Sequence, residues 1–132
     1  MMGAGDVVTA SAARILIVDD NITNLKLVSF LLADGGYDLR AAVNAEEALV
    51  LVRSFRPRLV LLDLQLPDID GLELTRRLKA DAATRATLVV AVTAYAMKGD
   101  QEKARAVGVD GYITKPLQPQ QFRRAVASFL NG

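Results

Sequence analysis

Five short, mostly apolar runs, each followed by a segment of different periodicity, limit the folds open to this chain more than any other feature. Runs of four to six apolar residues are typical of strands that are buried on both faces of a sheet. When such strands alternate with amphipathic helices, they indicate a parallel sheet covered by helices on both sides. Five strands joined by right-handed crossovers favour a doubly wound, flavodoxin-like (βα)5 fold of the α/β class, with strand order 2-1-3-4-5. The five runs are residues 15–18, 39–43, 59–62, 88–92 and 111–114.

Helix boundaries can be predicted from capping residues between these runs. Asn44, followed three positions later by Glu47, is a variant of a capping box and predicts a helix that ends before Pro57. The pair Asp70 and Gly71 begins the third helix. The other helices are expected at residues 22–33, 97–107 and 119–130, of which 97–107 is the most polar.

Length and composition exclude several classes of protein. The 132 residues fit one domain, which we place at 14–132 behind a flexible N-terminal arm of small residues at 1–13. The net charge of +1 lacks the basic field of a nucleic-acid-binding protein. The apolar runs are far shorter than the ~20 residues that cross a bilayer. We therefore expect a cytoplasmic protein that binds neither nucleic acid nor membranes.

The chain contains no Cys and no His. Thiol and imidazole nucleophiles, metal sites built on these side chains, and a phosphohistidine within the chain are therefore excluded. Any chemistry must use carboxylates, Lys, hydroxyl groups and the backbone.

Polar side chains follow four of the predicted strands at the point where each strand ends. Asp19 and Asp20 follow the first strand, Asp63 the third, Thr93 the fourth and Lys115 the fifth. In a doubly wound sheet the carboxyl ends of the strands meet at one edge, where ligands bind. Three carboxylates and one ammonium leave two negative charges, which a divalent cation would neutralise. An all-oxygen site favours Mg²⁺, and such a site with a Lys and a hydroxyl suits phosphoryl transfer to a carboxylate.

Each of these residues alone has an ordinary structural role. An Asp after a strand commonly forms a turn or caps a helix, and a Lys before Pro is most often a solvated surface residue. It is the occurrence of all of them at successive strand ends that favours a functional site.

The sequence resembles the receiver domains of two-component response regulators over residues 14–131. The matching stretches are ILIVDDN (15–21), LLDLQLPDIDG (61–71), VVAVTAYAMKGD (89–100) and GYITKP (111–116), in the family's order and spacing. The stretches DDNITN (19–24) and TAYAMKGD (93–100) look most similar to stand-alone cell-cycle-type regulators and to receivers of hybrid kinases.

The resemblance implies a role for each acidic residue. Asp63 matches the phosphoacceptor. Asp20 and Asp63 match the side chains that bind Mg²⁺ together with the backbone carbonyl of Gln65, and Asp19 matches the acid that reaches the metal through water.

The resemblance also implies a conformational switch. Thr93 matches the hydroxyl that moves to the phosphoryl group, and Lys115 matches the Lys that pairs with a phosphoryl oxygen. Tyr112 matches the aromatic residue that then turns inward. A cis peptide bond before Pro116 is expected, and Tyr95 is expected to shield the phosphoryl group from water.

The implied function is that of a phosphoacceptor rather than an enzyme with its own substrate. Because the chain has no His, the phosphoryl group would come from a histidine kinase or a histidine phosphotransfer protein. The surface of the fourth helix, fifth strand and fifth helix would then control binding of a downstream protein target.

Three other interpretations remain open on the sequence alone. A flavin-binding flavodoxin-like carrier would share the fold, but the acidic stretch 19–21 would repel a phosphate. A hydrolase of the haloacid-dehalogenase type would need a second Asp where Gln65 stands. The remaining alternative is a receiver-like interaction module without phosphotransfer.

Overall fold

The computed structural model describes residues 12–94 and 98–131. In this part of the chain, strands and helices alternate from β1 to α5. A short 3-10 helix, Ala33–Gly35, follows the first helix. The elements are β1 (Arg14–Val18), α1 (Ile22–Leu32), β2 (Asp38–Ala42), α2 (Ala45–Ser54), β3 (Leu59–Leu62), α3 (Gly71–Ala80), β4 (Leu88–Thr93), α4 (Lys98–Ala106), β5 (Gly111–Thr114) and α5 (Pro119–Asn131).

The strands form one parallel sheet in the order β2-β1-β3-β4-β5. The chain places β2 on one side of β1 and β3 on the other side. The order in which strands are added therefore reverses between β1 and β3, which are parallel, hydrogen-bonded neighbours. Ligands of doubly wound folds bind outside the carboxyl ends of the strands at this point. The predicted flavodoxin-like fold is confirmed.

Two hydrophobic clusters, one on each face of the sheet, hold the helices. Ile15 and Ile17 of β1 pack with α1 and α5 on one face. Leu16 and Val18 point to the other face, where they pack with α2 and α3. The period of two in a strand divides one continuous apolar run between both clusters. This arrangement accounts for the apolar character of every position in the middle of β1 and throughout β3.

The observed ends of several elements differ from those predicted. Strand β2 begins one residue earlier than expected, at Asp38, because the backbone ladder pairs Asp38 with Arg14 whatever its side chain. Helix α1 ends at Leu32, and the chain turns at Gly36, whose φ of 73° is a left-handed conformation that glycine adopts without strain. The predicted start of the fourth helix, Met97, lies outside the described residues.

The predicted cap of α2 is present in a modified form. The Asn44 side chain accepts a hydrogen bond from the Glu47 N–H at 2.8 Å. The Glu47 carboxylate accepts one from the Val43 N–H at 3.0 Å, one residue before the position that a capping box uses.

No helix in the described ranges is long and apolar enough to cross a membrane. Most of the predicted N-terminal arm lies outside those ranges, so the proposed boundary at residue 14 stays a prediction. Ala13 lies inside them, and its carbonyl accepts a hydrogen bond from the Asp38 N–H at 2.9 Å.

Candidate functional site

Backbone hydrogen bonds extend the sheet by one residue past several strands and thereby fix the polar side chains that follow. The Asp19 N–H donates to the Ala42 carbonyl at 3.0 Å, and the Asp63 N–H donates to the Val18 carbonyl at 2.9 Å. The Lys115 N–H donates to the carbonyl of Thr93, also at 2.9 Å. These side chains therefore start from rigid positions at the carboxyl edge of the sheet.

Three carboxylates meet at this edge. Asp19, Asp20 and Asp63 each offer a carboxylate oxygen, and these oxygens lie within 4.8 Å of one another. Asp19 is buried, Asp63 is half-buried and Asp20 is exposed. The Asn21 N–H donates to Asp19 Oδ1 at 2.9 Å and holds that carboxylate in place. The predicted convergence of the three acids is confirmed.

Lys115 brings a positive charge to two of these carboxylates. Its Nζ lies 3.4 Å from Asp19 Oδ2 and 3.4 Å from Asp63 Oδ2, although Asp19 is 96 residues away in sequence. The Lys115–Pro116 peptide bond is cis, as expected. One ammonium group is therefore shared between two acids, and the site keeps an excess of negative charge.

The environment of Asp63 acts on its pKa in opposite directions, and the net effect is an increase. Burial is the largest cause, because it disfavours the charged form of the carboxyl group, and the charge of Asp19 acts in the same direction. The Gln65 N–H, which donates to Asp63 Oδ1 at 3.0 Å, and the Lys115 ammonium both lower the pKa. Ionised Asp63 is therefore less stable here than it would be in water.

The donor set fits a hard divalent cation. All three side chains of the acidic group supply oxygen, and the chain has no Cys or His that would favour zinc or copper. Closely spaced carboxylates that share one ammonium group are destabilised by mutual repulsion, which a divalent cation relieves. The site therefore fits Mg²⁺.

Thr93 ends β4 beside the acidic group and is 1% exposed. It lines a cavity of about 150 Å³ with Asp100 of α4 and four residues of the β3–α3 region: Leu64, Gln65, Asp70 and Leu72. The structure thus places the predicted switch hydroxyl between the loop that carries Asp63 and the start of α4. Its movement stays a prediction.

Tyr112 lies in the middle of β5, opposite Ala91 of β4, and is partly buried. It lines a cavity of about 230 Å³ against Gln101, Ala104 and Arg105 of α4. Burial, and then the negative charge of Asp100, raise the pKa of its hydroxyl group. The structure places Tyr112 beside α4, and its predicted inward turn is untested. Tyr95 lies outside the described residues.

Gly71 allows α3 to begin directly against the loop that follows Asp63. The Gly71 N–H donates to the Leu64 carbonyl at 2.9 Å. A methyl group added at Gly71 would lie 2.6 Å from Leu64 Cα and 3.1 Å from the Asp63 carbonyl oxygen. Only glycine fits this approach without a shift of backbone next to Asp63.

Asp68 is a site-related residue that sequence reasoning missed. It lies in the loop between β3 and α3 and accepts hydrogen bonds from the Ala45 N–H at 2.9 Å and the Glu46 N–H at 3.0 Å. With Asn44 bonded to the third amide, the first three N–H groups of α2 all have acceptors. No local sequence signal marks Asp68, because the amides that it accepts from lie 22 and 23 residues earlier in the chain. Asp68 therefore ties the Asp63 loop to α2.

We expect Asp68→Asn to lower the melting temperature by a few degrees at neutral pH. The backbone N–H of Ala45, then that of Glu46, lowers the pKa of Asp68 against the effect of desolvation. The stabilisation is therefore present above the ordinary value of 3.8 and is lost as pH falls through the lowered value. Thermal unfolding of both proteins between pH 7 and pH 2 measures this, and their difference should shrink in acid. A difference that stays constant with pH would contradict the assignment.

The chain matches the family model described as the response regulator receiver domain over residues 15–127. It is 45% identical over 116 residues to the polar-differentiation response regulator DivK of Brucella anthropi, covering 88% of this chain and 94% of that protein. It is 43% identical to DivK of Brucella abortus, with the same coverage.

Solved receiver domains have the same fold. A CheY-like receiver domain protein from Methanospirillum hungatei superposes with a TM-score of 0.84 at 30% identity, covering 92% of this chain and 95% of that chain. The receiver domain of a Pseudomonas aeruginosa sensor histidine kinase, described with a magnesium ion coordinated in its active-site cleft, gives a TM-score of 0.84 at 27% identity, covering 92% of this chain and 100% of that one. On the family match, the similar relatives and the shared fold, this chain belongs to the response regulator receiver domain family.

Proposed function

We propose that this chain is a phosphoacceptor switch of a two-component phosphorelay, with Asp63 as the residue that is phosphorylated. One observation carries the proposal: Lys115 Nζ lies 3.4 Å from the carboxylates of both Asp19 and Asp63, and Asp20 completes the acidic group at the same edge. A half-buried carboxylate next to a fixed ammonium group combines a nucleophile with a partner for the oxygens of an incoming phosphoryl group.

Magnesium would be held by the carboxylates of Asp20 and Asp63 and the backbone carbonyl of Gln65, with Asp19 reaching it through water. When bound, the ion supplies positive charge that offsets the charge of the phosphoryl oxygens.

In the proposed reaction, a carboxylate oxygen of Asp63 forms a bond to phosphorus, and the phosphorus–nitrogen bond of a partner's phosphohistidine breaks. The bonding electron pair stays with the partner's imidazole nitrogen. Lys115 favours the ionised form of Asp63 against the effect of burial and pairs with a phosphoryl oxygen. Since the chain has no His of its own, the donor is a histidine kinase or a histidine phosphotransfer protein.

The proposed switch follows from the charge that Asp63 gains. Phosphorylation replaces a carboxylate by a group of about −2 at neutral pH. The Thr93 hydroxyl moves toward it, and Tyr112 turns into the space that is left. Tyr112 and α4 share a cavity, so this movement changes the α4–β5–α5 surface, where we expect a downstream protein target to bind.

The proposal includes no outside substrate beyond the phosphodonor. The chain assists its own phosphorylation and its dephosphorylation by water, and Tyr95 shields the acyl phosphate from that water. We further propose that it works in the cytoplasm with protein partners, without binding nucleic acid or membranes.

Incubation with acetyl phosphate and Mg²⁺, followed by intact-protein mass spectrometry, tests the proposal. We expect the added mass of one phosphoryl group, and we expect a chelator present from the start to prevent it. Fragmentation should place the added mass on Asp63. A protein that stays unmodified with Mg²⁺ present would favour the alternative, an interaction module without phosphotransfer.

Lys115→Ala should slow formation of this adduct by about 100-fold, the usual loss when one charged transition-state partner is removed. The rate of adduct formation with acetyl phosphate measures this. Lys26→Ala, which removes an exposed ammonium from α1, is the matched control and should keep the parental rate. Equal rates for the two variants would exclude the role assigned to Lys115.

A further inference from the structure

The amino-end edge of the sheet, opposite the acidic site, carries four arginines. We call Arg14, Arg56, Arg58 and Arg85 the arginine edge. Arg14 starts β1, Arg56 and Arg58 precede β3, and Arg85 precedes β4, and all four are exposed. The segments touch: Arg14 Nε donates to the Arg56 carbonyl at 3.0 Å, and the Arg58 N–H donates to the Arg14 carbonyl at 2.8 Å. The segment that follows Arg85 joins them through the Leu88 N–H, which donates to the Arg58 carbonyl at 3.0 Å, so the four arginines lie at one end of the sheet.

Three of the acids at this end of the sheet already pair with other cations. Arg40 Nε lies 3.9 Å from Asp38 Oδ1. Arg53 Nη2 lies 2.8 Å from Asp81 Oδ2, and Lys79 Nζ lies 2.8 Å from Asp110 Oδ2. Within residues 12–94 and 98–131, no carboxylate forms an ion pair with a member of the arginine edge. The four positive charges therefore have no direct ion-pair partner in these ranges, on a molecule whose net charge is +1.

Two guanidinium groups of the arginine edge are held in place by backbone carbonyls. Arg58 donates to the Leu130 carbonyl at 2.7 Å, at the end of α5, and Arg14 donates to Arg56 as described. A guanidinium has five N–H donors, so each keeps others for a partner. Arg56 itself has a φ of 53°, a left-handed conformation that is uncommon outside glycine. Fixed guanidinium groups lose less entropy when they bind a carboxylate.

An apolar depression lies beside these arginines. Its volume is about 410 Å³, and its lining is Pro57, Arg58, Ala86, Thr87, Leu88 and Phe129. Arg58 forms part of its wall, and Arg85 directly precedes Ala86. This depression can take an apolar side chain while Arg58 in its wall and the other arginines at this end of the sheet bind carboxylates.

We propose that the arginine edge is a docking surface for an acidic segment of a partner protein, anchored by one apolar side chain in the depression. A nucleic acid would need a wider basic field than four charges bordered by paired acids. A membrane would need exposed apolar residues beside the arginines, and of the large exposed hydrophobic residues in the described ranges, none lies in the segments that carry the arginine edge. These residues are Ile22, Leu27, Phe30 and Val50. This docking role is separate from the proposed phosphotransfer to Asp63.

The strand length separates this surface from the acidic site. From Arg14 to Asp19, a five-residue rise along β1 spans about 16 Å. A segment bound at the arginine edge therefore leaves Asp63 open to a phosphodonor, and one chain can hold both partners.

Fluorescence anisotropy with a short labelled peptide that repeats two glutamates and one leucine tests the proposal. We expect binding to the parent, and at least tenfold weaker binding to the double variant Arg56→Glu, Arg85→Glu. No hydrogen bond from either side chain is present within the described ranges, so the substitutions should leave folding intact. The control is Lys103→Glu, Arg124→Glu, which makes the same charge change on α4 and α5 and should bind like the parent.

Two further measurements show whether binding depends on the charge of the peptide and is independent of the acidic site. The same peptide with glutamine in place of glutamate should not bind, and adduct formation with acetyl phosphate should be unchanged in the arginine-edge variant. The proposal is overturned if the glutamate peptide fails to bind, or if both double variants lose binding equally. Tighter binding of a DNA duplex or of anionic vesicles to the same arginines would also overturn it.

Discussion

Replacing Asp63 with asparagine should abolish formation of the acyl phosphate while leaving the protein folded. Asparagine keeps the size of the side chain and an oxygen for the Gln65 N–H, but it provides no carboxylate nucleophile. Intact-protein mass spectrometry after incubation with acetyl phosphate and Mg²⁺ measures the loss. Asp34→Asn, at an exposed acid remote from the site, is the matched control and should be modified as fully as the parent. Equal modification of both variants would remove Asp63 as the acceptor.

The same substitution should raise the melting temperature in the absence of divalent cations. Burial raises the pKa of Asp63 above its ordinary value of 3.8, so the native state binds a proton more tightly than the unfolded chain does. This group therefore costs stability progressively as pH rises from 3.8 through the raised value, and the full cost remains at neutral pH. Asparagine carries no charge and therefore removes this cost in stability. Thermal unfolding at pH 7 and at pH 3 measures the effect, which should be absent in acid.

Gly71→Ala should destabilise the protein by about 1–3 kcal/mol, the usual cost of an extra methyl group that has no room. The new methyl group would lie 2.6 Å from Leu64 Cα, which belongs to the backbone and has no rotamer that could make space. Either α3 or the Asp63 loop has to shift. Denaturant unfolding measures the stability, and we expect adduct formation to be slower than in the parent as well.

Gly99→Ala is the matched control for this prediction. Gly99 lies in the first turn of α4, and a methyl group added there has no atom of another described segment within 4 Å. Alanine also loses less backbone entropy than glycine in a helix, so stability should stay equal or rise slightly. Similar losses in both variants would show that the close approach at Gly71 is not the cause.

The fold could be predicted because its signal is local. Runs such as residues 59–62 are apolar at every position, which is typical of a strand buried on both faces. The observed start of β2 at Asp38 was not predictable, because the backbone pairing with Arg14 that defines it leaves no trace in either side chain. Element ends were therefore less predictable than the elements themselves.

The candidate site was predictable for the same reason, since each of its acids directly follows a strand. The role of Asp68 was not predictable. Its carboxylate, in the loop after β3, accepts hydrogen bonds from two amides of α2 that lie 22 and 23 residues earlier in the chain. The crowding at Gly71 and the arginine edge likewise depend on which segments of the backbone meet. Such contacts have no local periodicity or motif that reveals them.

Helix α4 contributes little to the interior. Of residues 99–106, whose side chains are described, Ala104 is the one that is buried, and neither hydrophobic cluster includes a residue of α4. Its outward residues can therefore change in evolution with little effect on the free energy of unfolding. A lineage can alter the exposed surface of this helix and still inherit an intact scaffold and an unaltered acidic pocket.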